Sequence, residues 1–314
     1  MDSITQLMQL LFRFRRLASP SESCANEPCE VCFATHRPKI EQFMAKSEPV
    51  HFVILAFPAK SPNAQKVLGT LPDLAERLSV QFLQSFCDYV THFYAPGARI
   101  TICSDGHVFG DLVGVSDDDV SQYRDELALM IDQADAHSVD LYSLDDAAGK
   151  RDFNALRAEL VRDYATPVDE LRKRMATDES FRFLFNGIHR FMFEDQLALC
   201  PDRSRNKLRT ECKDLAYRVI QRSDAWGSLV AEAFPAALRL SIHPQPAHSE
   251  KIGFHMIRTR DNWLTPWHGV ALDDGNTITL VKRSEAERRN ASLVWRNKRP
   301  SHFIAPDIAE LDVA

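Results

Sequence analysis

The chain has 314 residues, 45% hydrophobic and 26% charged, a length and balance that suit one large globular domain or two ordinary ones. Its 38 basic residues against 44 acidic leave a formal net charge of −6, which argues against a broad electrostatic grip on nucleic acid and for small-molecule partners. No apolar run approaches the roughly 18 residues a bilayer crossing needs, and the odd count of 7 cysteines argues against a disulfide framework.

The N-terminal "MDSITQLMQLLFRFRRLA" carries its arginines after the apolar stretch, the reverse of a secretory signal. Leu7, Leu10, Leu11 and Phe14 recur at helical spacing, so the segment reads as an amphipathic helix of a cytoplasmic protein. Cys24, Cys29 and Cys32 follow, the last two in a CxxC spacing with His36 four residues on. The spacing raises a zinc site, but a second strong ligand pair is missing and Cys200 and Cys212 stand too far apart to resemble one. The expectation is therefore free thiols on a mobile segment and no metal. Residues 1–49 read as a helical or irregular extension, and 50–314 as a single catalytic domain.

From residue 50 the pattern alternates: apolar run 51–57, helical stretch 72–93, apolar run 98–103, helical stretch 117–133, apolar run 138–142. Such alternation predicts βαβαβ and a parallel sheet. Pro72 suits a first helical position, and Ser116 can cap the second helix with Asp119 three residues later. Residues 150–233 read as a helical insertion, broken at "TP" 166–167 and "CPDRSRN" 200–206. Its five phenylalanines between 181 and 193 could wall an aromatic pocket, although such a run is more often core. Strands return at 238–244 and near 252–258, 268–273 and 277–281, predicting a mixed, mainly parallel Rossmann-like α/β sheet with an added helical lobe. The basic stretch "KRSEAERRNASLVWRNKR" reads as a solvated face.

In open α/β sheets ligands collect outside the carboxyl ends of the strands. "FPAKSPN" and "CSDGHVFGD" leave two such ends, bringing Lys60, Ser61, Asn63, Lys66, Ser104, Asp105, His107 and Asp111 to one rim. The prolines stiffen the first loop. It lacks GxGxxG and GxxxxGK[ST], so neither a dinucleotide nor ATP is implied, and its lysines could hold a phosphate or carboxylate as point charges. "RLSIHP" puts Arg239, Ser241 and His243 on one face of a strand. Such a face is costly against apolar core and suits a polar cavity. Lys251, Thr265, Trp267 and His268 come soon after, and His243 and His268 are the candidate proton carriers. No GxSxG, HExxH, deaminase or kinase signature is present.

The segments "FPAKSPNAQKVLGTLPDLAE", "YAPGARITICSDGHVFGDLVGVSDDDVSQY", "FPAALRLSIHP" and "TPWHGVAL", in this order, resemble the pyoverdine/dityrosine biosynthesis family, whose bacterial members include isocyanide (isonitrile) synthases. The resemblance implies a cytoplasmic enzyme of secondary metabolism, without membrane or nucleic acid partners. It would turn the amine of L-tyrosine or L-tryptophan into an isocyanide, taking the carbon from ribulose 5-phosphate, with no cofactor. A downstream oxygenase acting on the isocyanide is implied as a pathway partner. On this reading His243, His268, Asp105 and Lys60 are catalytic, while Ser61, Asn63, Lys66, Ser104, Asp111, Arg239, Ser241, Lys251, Thr265 and Trp267 bind substrate. Tyrosine N-formylation, as in the dityrosine branch, and a phosphosugar or amino acid binding module stand as alternatives.

Overall fold

The computed structural model describes residues 2–19, 24 and 27–306; the last eight residues of the expected 50–314 domain lie outside them. Strands β1 (Val50–Leu55), β2 (Ala98–Cys103), β3 (Val139–Tyr142), β4 (Leu238–Ser241) and β5 (Lys251–Gly253) form a sheet in the order β3-β2-β1-β4-β5. Every pairing in it is parallel. Because the chain runs β1 to β3 in one direction and returns to the other side of β1, the order reverses between β1 and β4. That reversal opens a crevice at the strands' carboxyl ends.

Local chemistry starts the two helices of the alternating pattern close to where it predicts them. Helix α3 (Leu74–Thr91) has Asp73 as its N-cap, accepting from the Ala75 amide at 2.9 Å, while Glu76 accepts from the Asp73 amide at 3.0 Å. This capping box displaces Pro72 from the first helical turn. Helix α5 (Asp117–Gln133) is capped by Ser116, whose Oγ accepts from the Asp119 amide. The "SDGHVFGD" segment, expected as loop, coils instead into α4 (Gly106–Val113).

Two further helices, α1 (Ser3–Arg13) and α2 (Glu30–Ala45), pack into the same core as the strands, with Leu7, Met8, Leu11, Cys32 and Ile40 fully buried. The chain between them also closes the sheet. The Arg16 amide donates to Gly253 O at 2.8 Å, and the His255 amide to Phe14 O at 2.8 Å. A Cβ at Gly253 would stand 2.2 Å from Arg16 O, so only glycine admits the two backbones at this spacing. With the β5 edge taken, the late strands pair elsewhere, which corrects the expectation that they extend the first sheet. Strands β6 (Val270–Asp273), β7 (Ile278–Val281), β8 (Ser292–Arg296) and β9 (Arg299–Ile304) make a second, mixed sheet in the order β7-β6-β9-β8.

The β8–β9 hairpin falls in the basic stretch read as a plain solvated face. Its two-residue turn, Asn297 and Lys298, has both φ values positive, at 51 and 64°, the backbone that two-residue hairpins favour. Between β3 and β4 lies the helical lobe: α6 (Leu144–Ala148), α7 (Phe153–Tyr164), α8 (Val168–Thr177), α9 (Glu179–Leu199) and α10 (Arg205–Ala233). A short helix, α11 (Arg283–Arg288), follows β7. No helix among the described residues is long and apolar enough to cross a membrane.

Candidate active site

The exits of β1 and β2 are stapled together before they offer any side chain to a ligand. Ser104 Oγ donates to Phe57 O at 3.0 Å, and the Ser61 amide donates to Trp267 O at 2.9 Å. A Cβ at Gly106 would lie 2.0 Å from Pro58 O, so the glycine of "SDG" is what lets the start of α4 touch the first loop.

Two adjoining chambers lie above these strand ends. The first, about 1000 Å³ with its open mouth, is lined by Phe109, Ile188, Phe191, Met192, Trp263 and Trp267 around Ser61, Asp105, Asp195, His243, Thr265 and His268. The second, about 760 Å³, carries Arg239, Ser241, Asp224 and Lys251. Asp105, Ser223 and His243 belong to both linings. One chamber is thus apolar and aromatic, the other cationic, and a carboxyl and an imidazole stand where they meet.

Asp105 is buried, and its Oδ1 has no hydrogen-bond partner among the described residues. Desolvation pushes its carboxyl up to about 7, within reach of a proton-transfer role near neutrality. His243 Nδ1 is likewise buried and unpartnered. Burial first, then the charges of Arg16, His268 and Lys251, bring its imidazole down to about 3. His268 falls to about 3 as well, through burial and the nearby Lys66 and Lys60; its ring stacks on Phe191 and its Nδ1 lies 3.0 Å from Thr265 Oγ1. Both histidines are therefore neutral at pH 7, polar groups that can exchange protons but weak bases, and the stronger base is Asp105.

Lys60, expected to hold an anionic substrate, is spent elsewhere. Its buried Nζ donates to Asp73 Oδ2 and Glu76 Oε2, each at 2.8 Å, and to Pro266 O at 3.2 Å. All three ammonium protons are used. Lys66 lies outside both linings, between two carboxylates: its Nζ is 2.7 Å from Asp195 Oδ1 and 3.0 Å from Glu194 Oε2 but is not aligned as a hydrogen bond to either, and it stands 5.3 Å from the centre of the Phe191 ring. Ser61 Oγ and Asn63 Nδ2 donate to the same Asp195 carboxylate at 3.2 and 3.3 Å.

Three more expectations are corrected. Ser104 is a backbone staple outside both linings. Asp111 turns away to ion-pair with Arg222 at 2.5 Å. His107 packs flat on Phe153 at 3.7 Å and meets Ser121 Oγ at 3.0 Å. In the second chamber burial lowers Arg239 and, together with Arg239, lowers Lys251, which is exposed over the residue as a whole. Burial also raises Asp224, which stands in the same chamber.

Sequence reasoning missed Asp195, Trp263 and Arg16. Asp195 sits in the phenylalanine-rich helix α9, where Phe181 and Phe185 are core as expected while Phe191 and Met192 turn to the cavity. Trp263 lies against α9 because position 187 is glycine, where a Cβ would meet its ring at 2.3 Å. Arg16 is fully buried; its guanidinium donates to Ile242 O at 2.5 Å, to Leu264 O at 2.9 Å and to His255 Nδ1 at 2.9 Å. It thereby clasps the two segments that carry His243 and Thr265.

Residues 40–294 match the family model described as pyoverdine/dityrosine biosynthesis protein. The chain is 47% identical to the L-tryptophan isonitrile synthase AmbI1 of Fischerella ambigua over 95% of this chain and 94% of that protein. It is 44% identical to an L-tyrosine isonitrile synthase of Pseudomonas aeruginosa over 96% and 94%. The crystal structure of the PvcA protein from Pseudomonas aeruginosa superposes with a TM-score of 0.91 at 42% identity, covering 97% of this chain and 100% of that one. This chain belongs to the pyoverdine/dityrosine biosynthesis family.

Proposed function

We propose that the protein is an isonitrile synthase that converts the amino group of L-tryptophan or L-tyrosine into an isocyanide, with ribulose 5-phosphate as carbon donor. The observation that carries the reading is the pair of joined chambers, one sized and lined for an aromatic ring and one cationic, meeting at Asp105 and His243. The relatives named as isonitrile synthases of both amino acids support it.

In this reading the aromatic ring lies among Phe191, Trp263 and Trp267. The substrate ammonium faces Asp105, which removes a proton so that the free amine can attack the ketone carbon. Condensation forms the C=N bond and releases the ketone oxygen as water: the proton that Asp105 took from the ammonium returns to the departing oxygen, and neutral His243 stands beside it as a hydrogen-bonding group. Arg239 and Lys251 hold the phosphate. Later steps cleave carbon–carbon bonds, which places the enzyme among the lyases, with no redox cofactor in the scheme.

The test is to incubate the enzyme with either amino acid and ribulose 5-phosphate carrying ¹³C at the ketone carbon. An isocyanide with the label on its terminal carbon is expected, seen by infrared absorption and mass. An N-formyl product, or no turnover with either amino acid, overturns the reading. Arg239→Ala should raise KM for the phosphosugar roughly ten- to hundredfold, the loss of a charge-assisted contact of about 1.5–3 kcal/mol, and leave KM for the amino acid within about twofold. Equal effects on both substrates would remove the phosphate from the second chamber.

A further inference from the structure

Three thiols and one imidazole converge at the start of α2. Cys29 is the N-cap of that helix and Cys32 lies in its first turn, Cys24 precedes them, and His248 comes from the loop between β4 and β5. Their four ligand atoms all lie within 4.8 Å of one another. Cys29 Sγ is 3.7 Å from Cys32 Sγ, and Cys32 Sγ is 3.8 Å from Cys24 Sγ. His248 Nε2 is 3.3 Å from Cys29 Sγ and 3.5 Å from Cys24 Sγ.

These spacings are informative. A disulfide needs sulfurs about 2.05 Å apart, and all seven cysteines are free. A tetrahedral zinc with bonds of about 2.3 Å to sulfur and 2.0–2.1 Å to nitrogen sets sulfur–sulfur edges of about 3.8 Å and sulfur–nitrogen edges of about 3.6 Å. The observed separations are close to the edges of that tetrahedron. We propose that Cys24, Cys29, Cys32 and His248 form a structural zinc site. It corrects the expectation of separate thiols on a mobile segment, since Cys24 and Cys32 are buried. It also replaces the partner the spacing suggested: His36 is buried on α2 outside the cluster.

Two independent details agree. His248 holds a left-handed backbone, φ 63°, a conformation uncommon outside glycine and retained where something else fixes the residue. Arg15 places a cation on the sulfurs: its Nη1 donates to Cys24 O at 3.1 Å and lies 3.6 Å from Cys24 Sγ, which offsets the net negative charge of three thiolates around Zn²⁺. Soft thiolates with one imidazole select zinc among the common divalent ions. Four protein ligands leave no open position, so the metal's task is structural. Through Arg15, Arg16 and the Ala18 amide, which donates to Gln245 O at 2.9 Å, the site anchors the segment that clasps the active-site strand ends.

The experiment uses the full chain purified under reducing conditions and exchanged into metal-free buffer. Elemental analysis should find about one zinc per chain, Co²⁺ replacement should give the strong visible absorption of a tetrahedral thiolate site, and chelation should lower Tm. His248→Ala changes an exposed loop residue, so the protein is expected to fold. Its zinc affinity should fall by more than the roughly 10–100-fold typical of losing an outer-shell partner. His248→Cys should restore binding. The proposal is overturned by a wild-type chain holding less than about a tenth of an equivalent of zinc after equimolar addition. A disulfide among these cysteines in reduced preparations, or unchanged zinc binding in His248→Ala and Cys29→Ser, overturns it equally.

Discussion

Replacing Asp105 by Asn should lower turnover by about 10²–10⁴-fold, the usual contribution of a positioned acid or base, while making the protein more stable at pH 8. The two effects have one cause. Burial holds the Asp105 carboxyl at about 7 against an ordinary 3.8, so the folded state binds a proton that the unfolded chain releases. Stability is full below about pH 4 and is lost as pH rises toward about 7, by at most about 4 kcal/mol. Asparagine carries no charge to desolvate and escapes that loss. In wild-type enzyme the same group gives kcat/KM an acid limb near pH 7, since only the carboxylate accepts a proton. Turnover within tenfold of wild type, or a variant less stable than wild type at pH 8, would sink the assignment.

Lys60→Met should behave in the opposite way, as a folding defect. Removing the ammonium leaves Asp73 and Glu76 facing each other without a cation in a buried site, and breaking a buried ion pair from one side typically costs about 3–5 kcal/mol. The carboxyl of Asp73 is already pushed up to about 7, chiefly by desolvation, and the loss of Lys60 raises it further. The triple variant Lys60→Met, Asp73→Asn, Glu76→Gln should recover most of the melting temperature, because no uncompensated charge remains. Whatever fraction of Lys60→Met folds should keep wild-type KM for both substrates. A raised KM with unchanged Tm would return Lys60 to substrate binding.

The contrast between these two residues shows what was legible in the sequence. Asp105 is legible as a candidate because "SDG" ends a strand whose periodicity is clear, and the structure sets it where the two chambers meet. Lys60 was found by the same logic and misassigned, because its partners belong to the capping box of α3. A cap can be read from a sequence, but which neighbouring cation it will capture cannot. Asp195 was invisible for a related reason: it approaches Ser61 and Asn63 from a helix more than a hundred residues away, and no local pattern distinguishes it from a surface aspartate. The cysteine motif shows the same limit. Its spacing announced half a ligand set, and His248 came from a loop that only the closed fold brings near.

The position of β4 also governs the order in which the molecule can be made. Strand β1 is central to the sheet, flanked by β2 on one side and β4 on the other. During synthesis β2 follows β1 closely, whereas β4 emerges only after the whole helical lobe has been built. Until then the apolar strand Val50–Leu55 presents an unpaired edge, the surface most prone to pair with another chain. The same delay postpones the active site, because the Arg16 clasp has nothing to hold until Ile242 and Leu264 exist. A ribosome-bound chain therefore carries its N-terminal helices and half a sheet while residues 143–237 are made, and the catalytic crevice is among the last features to close.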